Sequence, residues 1–406
     1  MDKIISIIGL FLMVGIAYLL SSDKRKIQWK LVLIGITMQL VFGLLILKWA
    51  PGRALFNVMN DFVTAIMDFT KAGTQFLFGG MLNVDSFGYI FALQVLPTII
   101  FFSAVMAILY HTGIMGKIIT FLAKFMAKLL GTSGAETLSA TANIFVGQTE
   151  APLVIKPFLK TMTKSELLTV MTGGMATVAG GVMAGYVSMG VEAGHLIAAS
   201  IMSAPASLII SKIMIPETEE PVTKGEVKIE LEDLDANIID AAARGTSEGL
   251  QLALNVGATL LSFIALVALV NAFIGAVGGW FGLDFLSLEW ILGRAFAPLA
   301  FVMGIPWVDA IEAGNLLGQK VVINEFFAYA NLSSLIQGGT LQPRTIVILT
   351  YALCGFANFS SIGIQVGGLG SMAPERRGDL ARLGIRALIG GSLAAFMTAT
   401  VAGILI

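Results

Sequence analysis

Apolar residues in this chain come in long runs without charge, separated by short polar punctuation. A helix needs about 20 residues to cross ~30 Å of hydrocarbon. Runs at or near that length cover residues 4–22, 31–47, 86–110, 167–191, 196–211, 249–283, 345–372 and 387–406, predicting eight spans. The first resembles a signal peptide in length. Asp2 and Lys3 make a poor start for one and no small-residue cleavage site follows, so a retained helix is expected.

Other stretches carry helical periodicity with a polar face. In residues 114–130, Ile118, Leu122, Phe125 and Leu129 share a stripe, and Lys117, Lys124 and Lys128 share another face. Residues 53–71 are similar, with Leu55, Met59, Phe62, Ile66 and Phe69 on one stripe. Both fit helices lying on a membrane surface; helices packed against the bundle would show the same pattern.

Two regions are apolar yet interrupted by Gly, Pro and a carboxylate. Residues 135–165 surround the segment NIFVGQTEAP, residues 143–152, and residues 286–335 surround Asn324-Glu325-Phe326. Their apolar arms are too short to span, so each is expected to enter the membrane and return. Each is followed by a span that breaks its own helix, around Gly173–Gly181 and around Gly355–Gly363, and by one further span. Both breaks lead into a G-x-x-x-G, which lets helices approach closely. Hairpin, broken helix and helix therefore occur twice, entered from opposite sides. Such inverted pairs of interrupted segments are the best sequence pointer to a transporter's binding site.

Composition changes the picture only by exclusion. Hydrophobic residues make up 56% and charged ones 13%, about half the ~25% charge of soluble domains. One cysteine, Cys354, and two histidines leave no disulfide, no zinc cluster and no HExxH pattern. A net charge of −1 argues against nucleic acid as a partner. Basic residues cluster after spans one, three and seven and before span four, which puts those loops in the cytoplasm and both termini outside. A cell inner (plasma) membrane protein is expected. The polar stretch 216–240, with nine acids against Lys224 and Lys228, reads as a solvated linker.

The chemistry concentrates on Glu150 and Glu325. A carboxylate at the bilayer centre costs roughly 2.5 to 3.5 kcal/mol on insertion scales, and neither is expected to have a basic residue close in sequence to offset that. Gln148, Thr149, Asn324, Asn358, Ser360 and Ser361 are the polar groups placed to share their sites. Such a set suits a neutral ligand with several hydroxyls or ring nitrogens. Backbone carbonyls beside Asn143 and Thr177 would suit a hard cation, which prefers oxygen. No nucleophile or lipid-phosphate motif accompanies the carboxylates, so an enzyme is not expected; a channel would not need inverted repeats with broken helices.

NIFVGQTEAP followed by AGGVMAGY (residues 179–186), Asn324-Glu325-Phe326 and CGFANFSS (residues 354–361) resembles the bacterial, sodium-coupled concentrative nucleoside transporters, over nearly the whole chain. The resemblance implies an all-α polytopic homotrimer with eight transmembrane helices and two re-entrant hairpins per protomer. It implies scaffold helices in residues 1–110 and 249–283, and a transport domain in residues 111–215 and 284–406 that moves as an elevator. The acidic linker is 216–248. It further implies that Gln148, Thr149 and Glu150 recognise the nucleobase, that Val182 packs near the base and that Phe356 touches it. Glu325, Asn358 and Ser361 would hold the ribose. Sodium, the coupling ion, would bind the Asn143 side chain, the Thr177 hydroxyl and the carbonyls of Val146, Thr177 and Val178; no other cofactor is implied. The family has serine at the position of Thr177, and the hydroxyl is kept. The expected activity is sodium-driven import of nucleosides such as uridine. A proton-coupled transporter of the same fold, with Glu150 or Glu325 titrating, is the alternative.

Overall fold

A computed structural model describes residues 2–225, 235–283 and 285–406. Four of the linker's acids, Glu226, Glu230, Glu232 and Asp233, and the stripe side chains of Leu55 and Met59 lie outside the described residues. The described residues are almost all helical, with no strand among them.

Helices α1 (Asp2–Leu19) and α2 (Trp29–Leu47) are spans. Then α3 (Ala50–Phe78) extends well beyond the expected 53–71, and its Phe62 and Phe69 stay exposed while Val63, Thr70 and Thr74 are buried. Short α4 (Val84–Phe87) and α5 (Phe91–Gln94) lead into α6 (Leu96–His111), and Phe91–His111 forms the third span.

Helix α7 occupies Ile114–Leu130. It lies on the bundle with Met115, Ile119, Ala123 and Met126, not with the stripe the periodicity singled out. Ile118, Phe125 and Leu129 are exposed, as are the three lysines. The helix thus packs one apolar face on the bundle and leaves a second, flanked by lysines, exposed.

The first hairpin is α8 (Gly134–Ala142), a turn, and a 3-10 arm over Ala151–Phe158. The broken fourth span is α9 (Lys164–Ala176) and α10 (Gly180–Ser188), followed by α11 (Ala193–Met214). Ser133 and Thr163 begin α8 and α9 with capping boxes, closed by Glu136 and Glu166.

Helix α12 (Ile238–Trp280) is 43 residues long and starts inside the stretch read as linker. Then α13 (Leu288–Val302) turns by 118° into α14 (Trp307–Val322), and α15 (Glu325–Gln337) follows. The second interrupted region thus holds three helices. The hairpin proper is α14 and α15, and α13 stands where α7 stands in the first unit. The broken seventh span is α16 (Pro343–Leu353) and α17 (Phe359–Met372), and α18 (Arg377–Leu405) closes the chain. The sequence α7–α11 is repeated by α13–α18, element for element.

Two packing relations position the site. Gly245 and Gly249 of α12 sit against Ser103 and Ile100 of α6, where a Cβ would come within 2.8 Å of backbone or side chain. Meanwhile α1 and α2 lie on the repeat helices: Ser6 donates to the Met303 carbonyl at 3.0 Å, and Gln39 donates to Met202 and Thr398.

The linker's first part is packed, not solvated. Buried Lys212 pairs with Glu136 at 2.7 Å and Glu217 at 3.2 Å and donates to Ser165 at 2.9 Å. Thr223 is buried and accepts from the Ala135 N–H at 3.1 Å.

Candidate substrate and ion site

A helix broken in mid-membrane leaves carbonyls and N–H groups without intrahelical partners, and non-helical backbone survives there only when buried in protein or lining a cavity. The two breaks satisfy one another. The Phe356 N–H donates to the Thr177 carbonyl at 3.2 Å, and the Gly180 N–H donates to the Phe145 carbonyl of the first hairpin at 3.1 Å. Gly355 permits the crossing: a Cβ there would lie 2.8 Å from the Met175 carbonyl oxygen.

Around this crossing the second hairpin presents Glu325, which is buried. Tyr186 donates to its Oε1 at 3.2 Å and Asn358 Nδ2 to its Oε2 at 2.9 Å. Asn358 is also the N-cap of α17, its Oδ1 accepting from the Ser361 N–H at 3.0 Å and from Ser360 Oγ at 2.6 Å. From the first hairpin, Gln148 Nε2 donates to Ser361 Oγ at 3.1 Å, leaving Gln148 Oε1 buried and without a partner among the described residues. Gln148, Ser361, Asn358 and Glu325 thus form one chain of hydrogen bonds across both repeats. Thr149 donates to Glu150 at 3.1 Å. Glu150 itself is exposed, Val182 is buried and Phe356 is half-buried. Asn324 caps α15 by accepting from the Phe327 N–H at 2.8 Å, so its side chain serves the helix end.

The ion candidates also converge. Asn143 is fully buried; its Nδ2 donates to the Ser139 carbonyl at 2.9 Å, while its Oδ1 has no partner among the described residues. Thr177 is buried and donates to the Gly173 carbonyl at 3.0 Å, which leaves its hydroxyl oxygen able to accept. Val146 and Val178 occupy the turn and the break beside them. An orphaned buried amide oxygen is costly, and a hard cation is a partner it would accept.

Sequence reasoning missed two groups. Tyr186 ends the quoted AGGVMAGY segment, but its reach to Glu325 required knowing that α10 passes α15. Lys320 corrects the expectation of no nearby cation. It lies five positions before Glu325 and is fully buried, yet it donates to the Ala352 carbonyl at 2.7 Å rather than pairing with a carboxylate.

Paired hairpins and crossed broken helices, set in a bundle of apolar spans, define a membrane transporter, not an enzyme. Family models for the Na+ dependent nucleoside transporter N-terminus, for nucleoside recognition (the gate) and for the Na+ dependent nucleoside transporter C-terminus match residues 8–81, 92–193 and 195–403. The chain belongs to the Na+ dependent nucleoside transporter family. It is 48% identical to an uncharacterized transporter, YutK, of Bacillus subtilis, over 100% of both chains. It is 41% identical to the mouse (Mus musculus) sodium/nucleoside cotransporter 1, over 100% of this chain and 64% of that protein. Its fold matches CNTnw in an inward-facing substrate-bound state with TM-score 0.94 and 46% identity, covering 100% and 98% of the two chains.

Proposed function

We propose that this protein imports nucleosides by coupling each to the inward flow of sodium. The observation that carries the reading is the continuous chain from Gln148 through Ser361 and Asn358 to Glu325, beside an unpartnered Asn143 oxygen. Gln148, Thr149 and Glu150 read the nucleobase edge, with Val182 and Phe356 giving apolar contact. Glu325, Asn358 and Ser361 hold the ribose hydroxyls. Asn143 and Thr177, with carbonyls of Val146, Thr177 and Val178, bind sodium. Because the Thr177 carbonyl also receives the Phe356 N–H, ion binding stiffens the crossing on which the nucleoside rests. The two affinities are therefore coupled in both directions.

The protein works as an elevator within a homotrimer. The packing of α1 and α2 on the repeat helices departs from the expected scaffold of residues 1–110: it supports counting them with the moving body, and leaves α3, α6 and α12 as its track. Uptake of radiolabelled uridine into proteoliposomes tests the reading. It should rise with external sodium at fixed pH and stay flat with a proton gradient alone; the opposite dependence would assign the coupling to protons.

A further inference from the structure

The site described above leaves Lys320 without a role. Its side chain is fully buried and makes no ion pair among the described residues. A charged group inside a membrane protein is costly to keep and points to function. Its surroundings are a helix end and a ring: Nζ donates to the Ala352 carbonyl at 2.7 Å and lies 5.4 Å from the centre of the Phe396 ring. Both favour a cation.

Ala352 is in the last turn of α16, the first half of the broken seventh span, where carbonyls lack intrahelical partners. The second hairpin sends another side chain to that turn: fully buried Tyr329 donates to the Thr350 carbonyl at 2.6 Å. Lys320 comes from α14 and Tyr329 from α15, with Glu325 between them in sequence. Both arms of the hairpin are therefore fastened to one helix end. From that end the chain runs on to Asn358, which donates to Glu325 at 2.9 Å. Tyr329 also stacks on Tyr186, ring centroids 4.2 Å apart, and Tyr186 is the other donor to Glu325. The fastening thus closes a loop through both partners of the carboxylate.

The matching junction of the first repeat is built differently. There α8 meets α9 as α14 meets α16, and a Cβ on Gly173 of α9 would lie 3.6 Å from Asn143 Nδ2. Asn143 brings an unpartnered acceptor oxygen, and among the described residues no hairpin side chain donates to the last turn of α9. Oxygen acceptors gathered at a helix end call for a cation between them, whereas an ammonium supplies one. We infer that Lys320 is a positioning residue, a built-in cation that does permanently for the second hairpin what sodium is proposed to do for the first. It holds Glu325 in register with Asn358 whether or not sodium is bound. The inference rests on the nucleoside and sodium readings above.

Lys320→Met keeps the length of the stem and removes the charge, while Lys320→Arg keeps a cation. Tyr329→Phe removes only the hydroxyl of the other fastening, and decides the matter if the lysine variants fail to fold. Affinities for uridine, 2′-deoxyuridine and cytidine are measured on purified protein at saturating sodium. Sodium affinity is measured without nucleoside, from the rise in melting temperature. In Lys320→Met, uridine affinity should fall roughly tenfold or more and 2′-deoxyuridine affinity by less. The order of uridine and cytidine and the sodium affinity should stay unchanged. Tyr329→Phe should show the same pattern at smaller size, and Lys320→Arg should recover part of the preference for uridine over 2′-deoxyuridine. Wild-type affinities, an equal loss for all three nucleosides, no recovery with arginine, or a loss of sodium affinity overturns the positioning role and leaves the main site standing. Absence of uridine binding by the unmodified protein would instead overturn the nucleoside reading.

Discussion

Gln148 on the first hairpin and Ser361 on α17 are 213 positions apart in the chain, yet they share a hydrogen bond of 3.1 Å. That bond is where the two repeats meet over the proposed substrate site. One end of the network is positioned by the first hairpin's turn, the other by the N-cap of α17, so moving either repeat alone breaks it.

In the proposed reading, Glu325 lies at the sugar end of the network. Glu325→Gln keeps the shape and one acceptor oxygen for Asn358 or Tyr186, but loses charge-assisted bonds to ribose, each worth about 1.5 to 3 kcal/mol. Uridine affinity should fall at least roughly tenfold with expression unchanged. Isothermal titration of the purified variant checks this, and wild-type affinity would remove Glu325 from the ribose site.

In the proposed reading, Thr177 offers a hydroxyl to the ion, and its carbonyl accepts from the Phe356 N–H. Thr177→Ala removes only the hydroxyl. The sodium concentration for half-maximal uptake should rise, and uridine affinity should recover at saturating sodium. Unchanged sodium dependence would count against this ion site.

Gly355 tests the crossing itself. Gly355→Val places side-chain atoms against the Met175 and Ala176 carbonyls, and core overpacking of this kind costs about 1 to 3 kcal/mol. The variant should melt at lower temperature in detergent and lose transport. A variant with wild-type melting and uptake would mean the two breaks do not touch in the working protein.

Much of this was legible in the sequence, and the limits have physical causes. Spans showed because hydrocarbon tolerates no scattered charge, and the hairpins because Gly, Pro and a carboxylate interrupted apolar runs. The boundary between α13 and α14 was hidden: both helices are apolar, so nothing in composition separates a lead helix from a hairpin arm. The start of α12 was hidden for the opposite reason, since Asp240 to Glu248 is polar yet rich in alanine, and helical propensity alone extends the span into the linker. On α7, periodicity found an apolar stripe but could not say which of two apolar faces meets protein. In the site, residue types announced themselves at Glu150 and Glu325, while their partners could not. Tyr186 reaches Glu325, and Lys320 turns to the Ala352 carbonyl, only through the fold.

Lys212 was unremarkable in sequence, but it pairs with both Glu136 and Glu217 in a buried cluster at the foot of the first hairpin. Lys212→Met leaves those carboxylates without their cation, a change that costs about 3 to 5 kcal/mol for a buried pair. Thermal stability should drop sharply, and Glu136→Gln added to Lys212→Met should restore part of it. Failure of the second substitution to rescue would show that the loss is one of packing.

The division of labour between the hairpins gives the last prediction. Gln148→Ala removes a donor from Ser361 and an unpartnered Oε1 that is free to meet a base. It should reorder uridine, cytidine and adenosine in competition assays while leaving the ratio of uridine to 2′-deoxyuridine nearly unchanged. Asn358→Ala removes the Nδ2 bond to Glu325 and the cap of α17, so it should narrow any ribose preference and keep the base ranking. A site loses discrimination for the group its missing bond contacted, because only there is a polar partner left unpaired. Loss of the helix cap weakens every ligand alike and cancels in ratios taken within one variant. A uniform drop in both variants would assign these residues to structure, and a swapped pattern would exchange the roles of the two hairpins.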